Sequence, residues 1–472
     1  MLPVFYYLSG QTFHVQRMKN RILFFFAMML ILSASAQEQP YYDVVMKRTQ
    51  WWREARLGML VEVGLYSIPA RGCEVWSMEK TYDSVYTNFI NEFNPSGFDA
   101  KAIARTARES GMKYVMMSVK HYDGFCLYDS KLTDFKVTKS PCKRDLFREF
   151  VDACRAEGLK IGIMYSLIDW HHPDYPVYED LTHPRRGDYA YENQKRDLAR
   201  YIEYMHGQIK ELLTSYGKID IIGVEYSYYK MSGETWKAYD LVNAIHKLQP
   251  DIIINSGFGG KYSLFNTDQE YKPYGDYDVV RSIMPAKTLL DYKQRPTPWE
   301  LFVTMNNLRG YSRNDHNYKP ASLLINTLVE CTGKNGNLLL CVDLTPKGTI
   351  PEASEQSLHA LGEWMKKNGS SIYGCGPAVD TLAKPDWGRY TQKGKYLYAH
   401  VLQPPLNYVM IPNYKDKYKK IRLLHDGSEI QLDRNVGEVN GKNNLYLNIQ
   451  KPAVNYYPLP DPVNTVYEIE LK

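Results

Sequence analysis

Acidic, histidine and aromatic residues recur in this sequence where short apolar runs end. Glu62, His121 and Glu225 each stand at or just after such a run, and Asp268 and Glu270 follow a later one. Retaining hydrolysis of a glycoside uses two carboxylates, one as nucleophile and one as acid and base. Aromatic rings stack on the apolar faces of sugars. Together these residue types predict carbohydrate chemistry, provided that the fold brings the run ends together.

The elements that would position these residues alternate along the chain. Runs such as Lys160–Ser166 and Asn337–Asp343 are apolar on both faces, which is typical of parallel strands covered by helices. Helical patterns separate them, as in Arg144–Gly158 and in one long helix expected over 188–216. The repeats continue too long for a small doubly wound sheet, so they predict an α/β fold of the (β/α)₈-barrel type. Strands six and seven, between about 278 and 312, have the weakest pattern. In such a barrel the carboxyl ends of the strands form the active site.

The last hundred residues have a different pattern. From Ile372 onward, short β-like runs are separated by Gly, Pro, Asp and Asn, which predicts a C-terminal antiparallel β-sandwich. We therefore expect a barrel over residues 37–368 and a sandwich over 369–472.

The N-terminus has the pattern of a secretory signal. Basic residues precede the apolar run Ile22–Leu32, and small residues follow it up to Ala36. The pattern predicts a signal peptide over residues 1–36, with Met18 as an alternative start and cleavage near Ala36. We expect the mature protein to be exported (periplasmic, cell-surface or secreted) and to have no membrane span.

Composition excludes several other classes. A net charge of +5 with scattered basic residues gives no nucleic-acid surface. The seven cysteines form no CxxC pair, and the adjacent His171 and His172 have no third ligand near them in sequence, so we expect no metal and no cofactor. The expected partner is a glycan or glycoconjugate, and the sequence does not indicate an oligomeric state.

One motif resembles a known family. The segment Lys120–Phe125 (KHYDGF) is similar to the K-H-H-D-G-F motif of the α-L-fucosidases, glycoside hydrolase family 29. Further similarities, over roughly residues 50–400, include Arg144-Asp145, Tyr216–Asp220 and Gly336–Leu340. The resemblance implies a retaining exo-glycosidase with a catalytic barrel followed by a β-sandwich.

The resemblance also implies roles for individual residues. Glu225 stands at the position of the family's nucleophile, which is an Asp, and Glu270 best matches the acid/base, with Asp268 as the alternative. Retention requires these two carboxyl groups about 5–5.5 Å apart. The expected substrate-binding residues lie at strand ends and in the loops that follow: Glu62, Glu74, Trp76, His121, Tyr122, Tyr165, Trp299 and Arg309. Trp76, Trp170 and Trp299 have a structural alternative, as barrel-wall residues.

The sequence departs from the family pattern in the sugar pocket. Where the family has H-W-G, this chain has Glu62-Val63-Gly64, and where the family has W-G-Y, it has Arg309-Gly310-Tyr311. Tyr122 replaces the second histidine of the family motif, and Gly223 replaces the Trp before the nucleophile. The family Arg near strand five is absent from 255–258. A hydroxyl-binding site that loses its partners loses selectivity by orders of magnitude.

Three functions remain open at this point. We favour a retaining exo-glycosidase of altered specificity, because a carboxylate is kept at the nucleophile position. The alternatives are an ordinary α-L-fucosidase and a non-catalytic carbohydrate-binding relative. Two ion pairs are also possible from the sequence: Glu62 with Arg309, and Glu225 with a neighbouring Lys or Arg.

Overall fold

The chain divides into two units between Gln50 and Trp51. In the first unit, residues 41–48 are helical (α1), and the Thr49 hydroxyl donates a hydrogen bond to the Val45 carbonyl at 2.7 Å. The computed structural model describes residues 41–227, 231–259, 274–281, 283–291, 293–379, 382–405, 408–430, 432, 443–447 and 459–472.

The second unit contains an eight-stranded parallel sheet in the order β5-β4-β3-β2-β1-β8-β7-β6. Its strands are β1 Leu57–Glu62, β2 Tyr114–Lys120, β3 Lys160–Ser166, β4 Ile221–Glu225, β5 Ile253–Ile254, β6 Asp278–Arg281, β7 Trp299–Thr304 and β8 Asn337–Asp343. A parallel bridge between Asn255 and Tyr277 joins the two edge strands, with Ser256 N donating to Tyr277 O at 2.8 Å. The sheet thus curls round on itself, and the predicted (β/α)₈ barrel is confirmed.

Helices follow the strands of the barrel. They are α2 Gln50–Ala55, α3 Val75–Met78, α4 Asp83–Asn88, α5 Ala100–Glu109, α6 Leu146–Ala156, α7 Tyr189–Glu192, α8 Leu198–Ser215, α9 Ala238–Leu248, α10 Ala321–Thr332 and α11 Glu352–Asn368. The long helix expected within 188–216 is present as α8 but begins ten residues later than expected, because Asp197 caps it with its side chain and separates it from the short α7. Within the described ranges, no helix has the length and apolarity needed to cross a membrane.

The two-residue period of the strands decides which side chains point into the barrel. Leu60, Met116, Met164, Ile221 and Cys341 belong to one buried cluster at the barrel axis. Glu62 follows Leu60 by two residues, and Asp343 follows Cys341 by two residues. Both acids therefore occupy inward positions at the carboxyl ends of their strands. The alternation therefore carries charged groups to the mouth of the barrel.

The C-terminal part is antiparallel. One sheet has the order β12-β14-β10-β9 and a second pairs β11 with β13. The strands are β9 Gly388–Lys393, β10 Tyr396–Val401, β11 Val409–Ile411, β12 Tyr418–Leu423, β13 Leu445–Leu447 and β14 Thr465–Leu471. Arg389 of β9 contacts Glu330 of α10 at 2.6 Å, which ties this part to the barrel. The predicted fold class, a barrel followed by an antiparallel β-sandwich, is confirmed.

The seven cysteines are all buried free thiols. Burial raises the pKa of Cys126 to about 12, so this thiol stays protonated at neutral pH. The cysteines therefore act as small core residues and supply no disulfide framework.

Candidate active site

One arginine joins the two glutamates that end β1 and β4. Arg309, in the loop between β7 and α10, donates from Nε to Glu62 Oε2 at 2.9 Å, and its Nη2 also contacts Glu62 Oε1. The same guanidinium donates to both oxygens of Glu225, Nη2 to Oε1 at 2.9 Å and Nη1 to Oε2 at 2.5 Å. The side chains of Glu62, Glu225 and Arg309 are 0%, 2% and 11% exposed. We call these three residues the ion network.

The electrostatics keep Glu225 and Arg309 ionised. Burial alone would raise the pKa of Glu225, but the positive charges of Arg309 and Arg281 outweigh it and lower that pKa to about 2. Burial would lower the pKa of Arg309, and the two carboxylates instead hold it well above its usual range. Glu225 is therefore a carboxylate at any physiological pH, with its two oxygens occupied by hydrogen-bond donors.

A third acid lies beside the network. Asp343 is paired in register with Glu62, and its Oδ1 accepts a hydrogen bond from Gly310 N at 2.8 Å. Burial, followed by the charge of Glu62, raises the pKa of Asp343 well above its usual range. Ligand atoms of Glu62, Asp343 and Cys341 lie within 4.8 Å of one another, the one such trio among the described residues. Because Arg309 already occupies the Glu62 carboxylate and burial disfavours the charged form of Asp343, this trio is poorly suited to a metal ion.

A cavity of about 760 Å³ opens above the network. Glu225 and Arg309 line it, together with Glu74 and Arg281. Arg281 Nη2 is 3.4 Å from Glu225 Oε1, and its guanidinium lies 4.6 Å from the ring centroid of Phe302. The volume suits a ligand of one or two sugars.

His121 lies beside the network in an aromatic cluster. Its ring centroid is 3.8 Å from that of Tyr122, 5.2 Å from Tyr66 and 6.1 Å from Tyr226. Neither nitrogen of His121 has a hydrogen-bond partner among the described residues, and the same holds for the Tyr122 hydroxyl. Burial, and then Arg309, lower the pKa of His121 well below its usual value, so the imidazole is neutral. Buried polar groups are usually hydrogen-bonded, so the two unpartnered nitrogens make His121 an exception among the buried side chains.

Three of the residues expected to bind substrate lie elsewhere. Trp76 is buried and stacks on Tyr86 at 4.4 Å, as a wall residue. Tyr165 points outward from β3 and donates its hydroxyl to Gln208 of α8 at 2.7 Å. Trp299 is the first residue of β7, at the amino end of the strand and so opposite the cavity. The structure therefore brings Glu62, Glu74, His121, Tyr122, Glu225 and Arg309 together, and leaves these three out.

The proposed acid/base residues cannot be placed. Glu270 and its alternative Asp268 both lie outside the described residues. The distance between the Glu225 and Glu270 carboxyl groups, which would distinguish retaining catalysis from binding, therefore stays a prediction.

Two site residues were missed from the sequence. Arg281 is the last residue of β6 and Asp343 the last of β8. The strand-end rule that selected Glu62 and Glu225 also selects both of them. Arg281 escaped notice because the strand pattern near 278 is weak.

The barrel, its cavity and the carboxylates at the strand ends define a class of protein, the (β/α)₈ barrels of the glycoside-hydrolase type. The chain matches the family model Alpha-L-fucosidase over residues 28–370. It therefore belongs to the α-L-fucosidase family.

Individual relatives agree with this assignment. α-L-Fucosidase isoenzyme 1 from Paenibacillus thiaminolyticus is 44% identical, with a TM-score of 0.86 over 91% of this chain and 100% of that one. A Bacteroides thetaiotaomicron α-L-fucosidase, solved as a trapped covalent intermediate with 2-fluoro-fucosyl fluoride, is 25% identical, with a TM-score of 0.75 over 90% of this chain and 96% of that one. The α-L-fucosidase of Dictyostelium discoideum is 25% identical over 84% of this chain and 87% of its own length.

The departures from the family pattern are in contact with one another. Glu62, Glu225 and Arg309 each replace a different residue type, and they form a single ion network. At Gly223, where the family has a Trp, an added Cβ would lie 2.7 Å from Met164 Sδ. Three of the residues that differ from the expected family pattern, Glu62, Glu225 and Arg309, are therefore in direct contact with one another.

Proposed function

We propose that this protein is a glycan-binding member of the α-L-fucosidase family that does not hydrolyse glycosides by the family's mechanism. One observation carries the proposal: both oxygens of Glu225, at the nucleophile position, accept hydrogen bonds from Arg309.

A retaining nucleophile must bring a free carboxylate oxygen to the anomeric carbon. Glu225 is almost completely buried and is held by Arg309 on one side and approached by Arg281 on another. Separating a buried charge from its partner costs about 3–5 kcal/mol. At 1.4 kcal/mol per tenfold, that slows attack by about 10²- to 10³-fold or more. The extra methylene of Glu relative to Asp adds a displacement of about 1 Å, which by itself can cost about 10²-fold.

The same site keeps features that suit binding. The cavity is lined by the exposed Glu74, and His121, which is buried next to the lining residue Tyr226, has two unpartnered ring nitrogens. Named relatives are α-L-fucosidases, so fucose-terminated glycans are the first class to test. The lost sugar contacts favour a different terminal sugar, as the altered pocket lining predicts.

A second candidate is the retaining exo-glycosidase of altered specificity. It would use Glu225 as nucleophile and Glu270 as acid/base. One observation favours it: Glu225 is ionised and lines the cavity, as a nucleophile must. This candidate requires a substrate that draws Arg309 away from Glu225.

We further propose that the protein is exported. The sequence supports this through the basic, apolar and small-residue segments that end near Ala36. Expression with residues 1–36 fused to a reporter, followed by fractionation, tests it; a reporter that stays in the cytoplasm contradicts export.

The two candidate functions separate in one experiment. The wild-type protein, Glu225→Gln and the surface control Glu363→Gln are assayed on a panel of 4-nitrophenyl glycosides that includes the α-L-fucoside, and on a glycan array. Glycan binding without hydrolysis supports the first candidate. Hydrolysis that is lost in Glu225→Gln and kept in Glu363→Gln supports the second, and neither binding nor hydrolysis contradicts both.

A further inference from the structure

Large apolar side chains are exposed on the two loops that follow β1 and β3. Tyr82 is 75% exposed and Tyr178 is 64% exposed, and Met78 and Leu181 are also exposed. We call these four residues the rim surface. Scattered apolar residues are normal on a protein surface, but a contiguous group marks a binding site.

Contacts between the two loops hold the segments that carry the rim surface together. The Ser77 hydroxyl donates to the Thr182 carbonyl, and Arg185 Nη1 lies 3.9 Å from Asp83 Oδ2. Ser77 and Thr182 are the chain neighbours of two rim residues, and Asp83 is the neighbour of a third. The loops are therefore fixed side by side, with Met78, Tyr82 and Leu181 next to the residues that make the contacts.

The second loop is built around a buried carboxylate. Asp180 accepts hydrogen bonds from Trp170 Nε1 at 2.9 Å, from the Tyr175 hydroxyl at 3.1 Å and from Thr182 N at 2.8 Å. This turn holds the flanking residues in place, so a ligand would meet a surface that is already ordered. Preorganisation of that kind lowers the entropic cost of binding.

The rim surface continues from the cavity. Glu74 lines the cavity, and Met78 N donates to Glu74 O at 2.9 Å across one turn of α3. Residues four apart on a helix lie on the same face. A glycan chain that leaves the cavity past Glu74 would therefore reach Met78 and the rest of the rim surface.

We propose that the rim surface binds the sugars of an oligosaccharide next to the one held in the cavity. This inference rests on the proposed glycan binding at the barrel mouth. Exposed tyrosine rings stack on the apolar faces of pyranose sugars, and their hydroxyls hydrogen-bond to sugar hydroxyls. A second copy of the chain is a poorer occupant, because four side chains of at most about 200 Å² each, 57% to 75% exposed, present about 500 Å², short of the roughly 800 Å² per partner of a stable protein interface.

Glycan length tests the proposal. A printed array of mono- to hexasaccharides with neutral and acidic ends is followed by calorimetric titration of the best-bound series. The variants are Tyr82→Ala, Tyr178→Ala and their combination. Tyr239→Ala is the matched control, because Tyr239 is 61% exposed on α9. Each rim variant should weaken binding of trisaccharides and longer glycans about 3- to 10-fold. Binding of the monosaccharide, and all binding by Tyr239→Ala, should change less than twofold.

The other outcomes overturn the proposal in distinguishable ways. Wild-type affinity that does not rise with glycan length refutes the rim surface and leaves the proposed function intact. Equal loss for monosaccharide and oligosaccharide assigns the tyrosines a structural role. Absence of all glycan binding refutes both proposals. A change in sedimentation mass, with glycan affinity unchanged, makes the rim surface a contact between copies of the chain.

Discussion

Removing the charge of Arg309 tests the ion network directly. Arg309→Met keeps most of the side-chain volume and leaves Glu62 and Glu225 buried with Arg281 as their nearest cation. Breaking a buried ion pair from one side destabilises a protein by about 3–5 kcal/mol, since a charge stays buried without its partner. All three network side chains are nearly inaccessible, so solvent screening reduces this figure little.

The expected change is measurable by thermal unfolding. With about 2.1 cal/mol/K of unfolding entropy per residue, a unit of about 400 residues shifts by about 1 °C per kcal/mol. Arg309→Met should therefore lower Tm by about 3–5 °C at pH 7.

The pH dependence provides a second readout. The pKa of Glu225 is lowered from 4.5 to about 2 in the folded protein, so its ionised form contributes about 3 kcal/mol above pH 4.5. That contribution is lost as the pH falls from 4.5 towards 2. Because Arg309 is a main source of the shift, the Tm difference between wild type and Arg309→Met should shrink over the same range.

Neutralising the whole network is the decisive control. Replacing a complete buried ion network by uncharged residues is often close to neutral. Adding Glu62→Gln and Glu225→Gln to Arg309→Met should therefore restore most of the lost stability. Arg200→Met removes an exposed arginine that pairs with Asp174, and should cost no more than about 1 kcal/mol. If Arg309→Met costs no more than Arg200→Met, or if the triple variant is the least stable, the network does not hold the site together.

Two further predictions concern the barrel around the site. An added Cβ at Gly257 would lie 1.9 Å from the Val224 carbonyl oxygen, so Gly257→Ala should lower the free energy of unfolding in urea by about 1–3 kcal/mol. Gly259→Ala is the control, because the nearest atom to its added Cβ is 3.6 Å away. It should change stability by less than about 0.5 kcal/mol. Burial raises the pKa of Glu300 from 4.5 in the unfolded chain to about 7 in the folded protein. As the pH rises from 4.5 to 7, the unfolded chain ionises while the folded protein stays protonated, so the folded state loses stability. Glu300→Gln should match wild type near pH 4 and exceed it by about 3 kcal/mol at pH 8; a constant difference across this range would contradict a titrating Glu300.

Most of the fold was predictable because local sequence patterns determine its strands and helices. Runs that are apolar on both faces, such as Asn337–Asp343, became buried strands with their predicted bounds. The long helix within 188–216 begins later than expected because the capping effect of Asp197 outweighs the helical periodicity around it. Strands β6 and β7 were weakly predicted because they are short and hold charged residues at inward positions.

The sequence by itself determined that acids stand at the ends of β1 and β4 and that the chain resembles the α-L-fucosidases. From the sequence, Glu62 and Glu225 could be either members of ion pairs or free catalytic groups. Glu62 and Arg309 are 247 residues apart, and Glu225 and Arg309 are 84 apart, so no local pattern relates them. Only closure of the barrel brings one guanidinium between two carboxylates, and three such buried charges are stable only when paired. The tertiary structure therefore decided that the carboxylate at the nucleophile position is held in an ion pair.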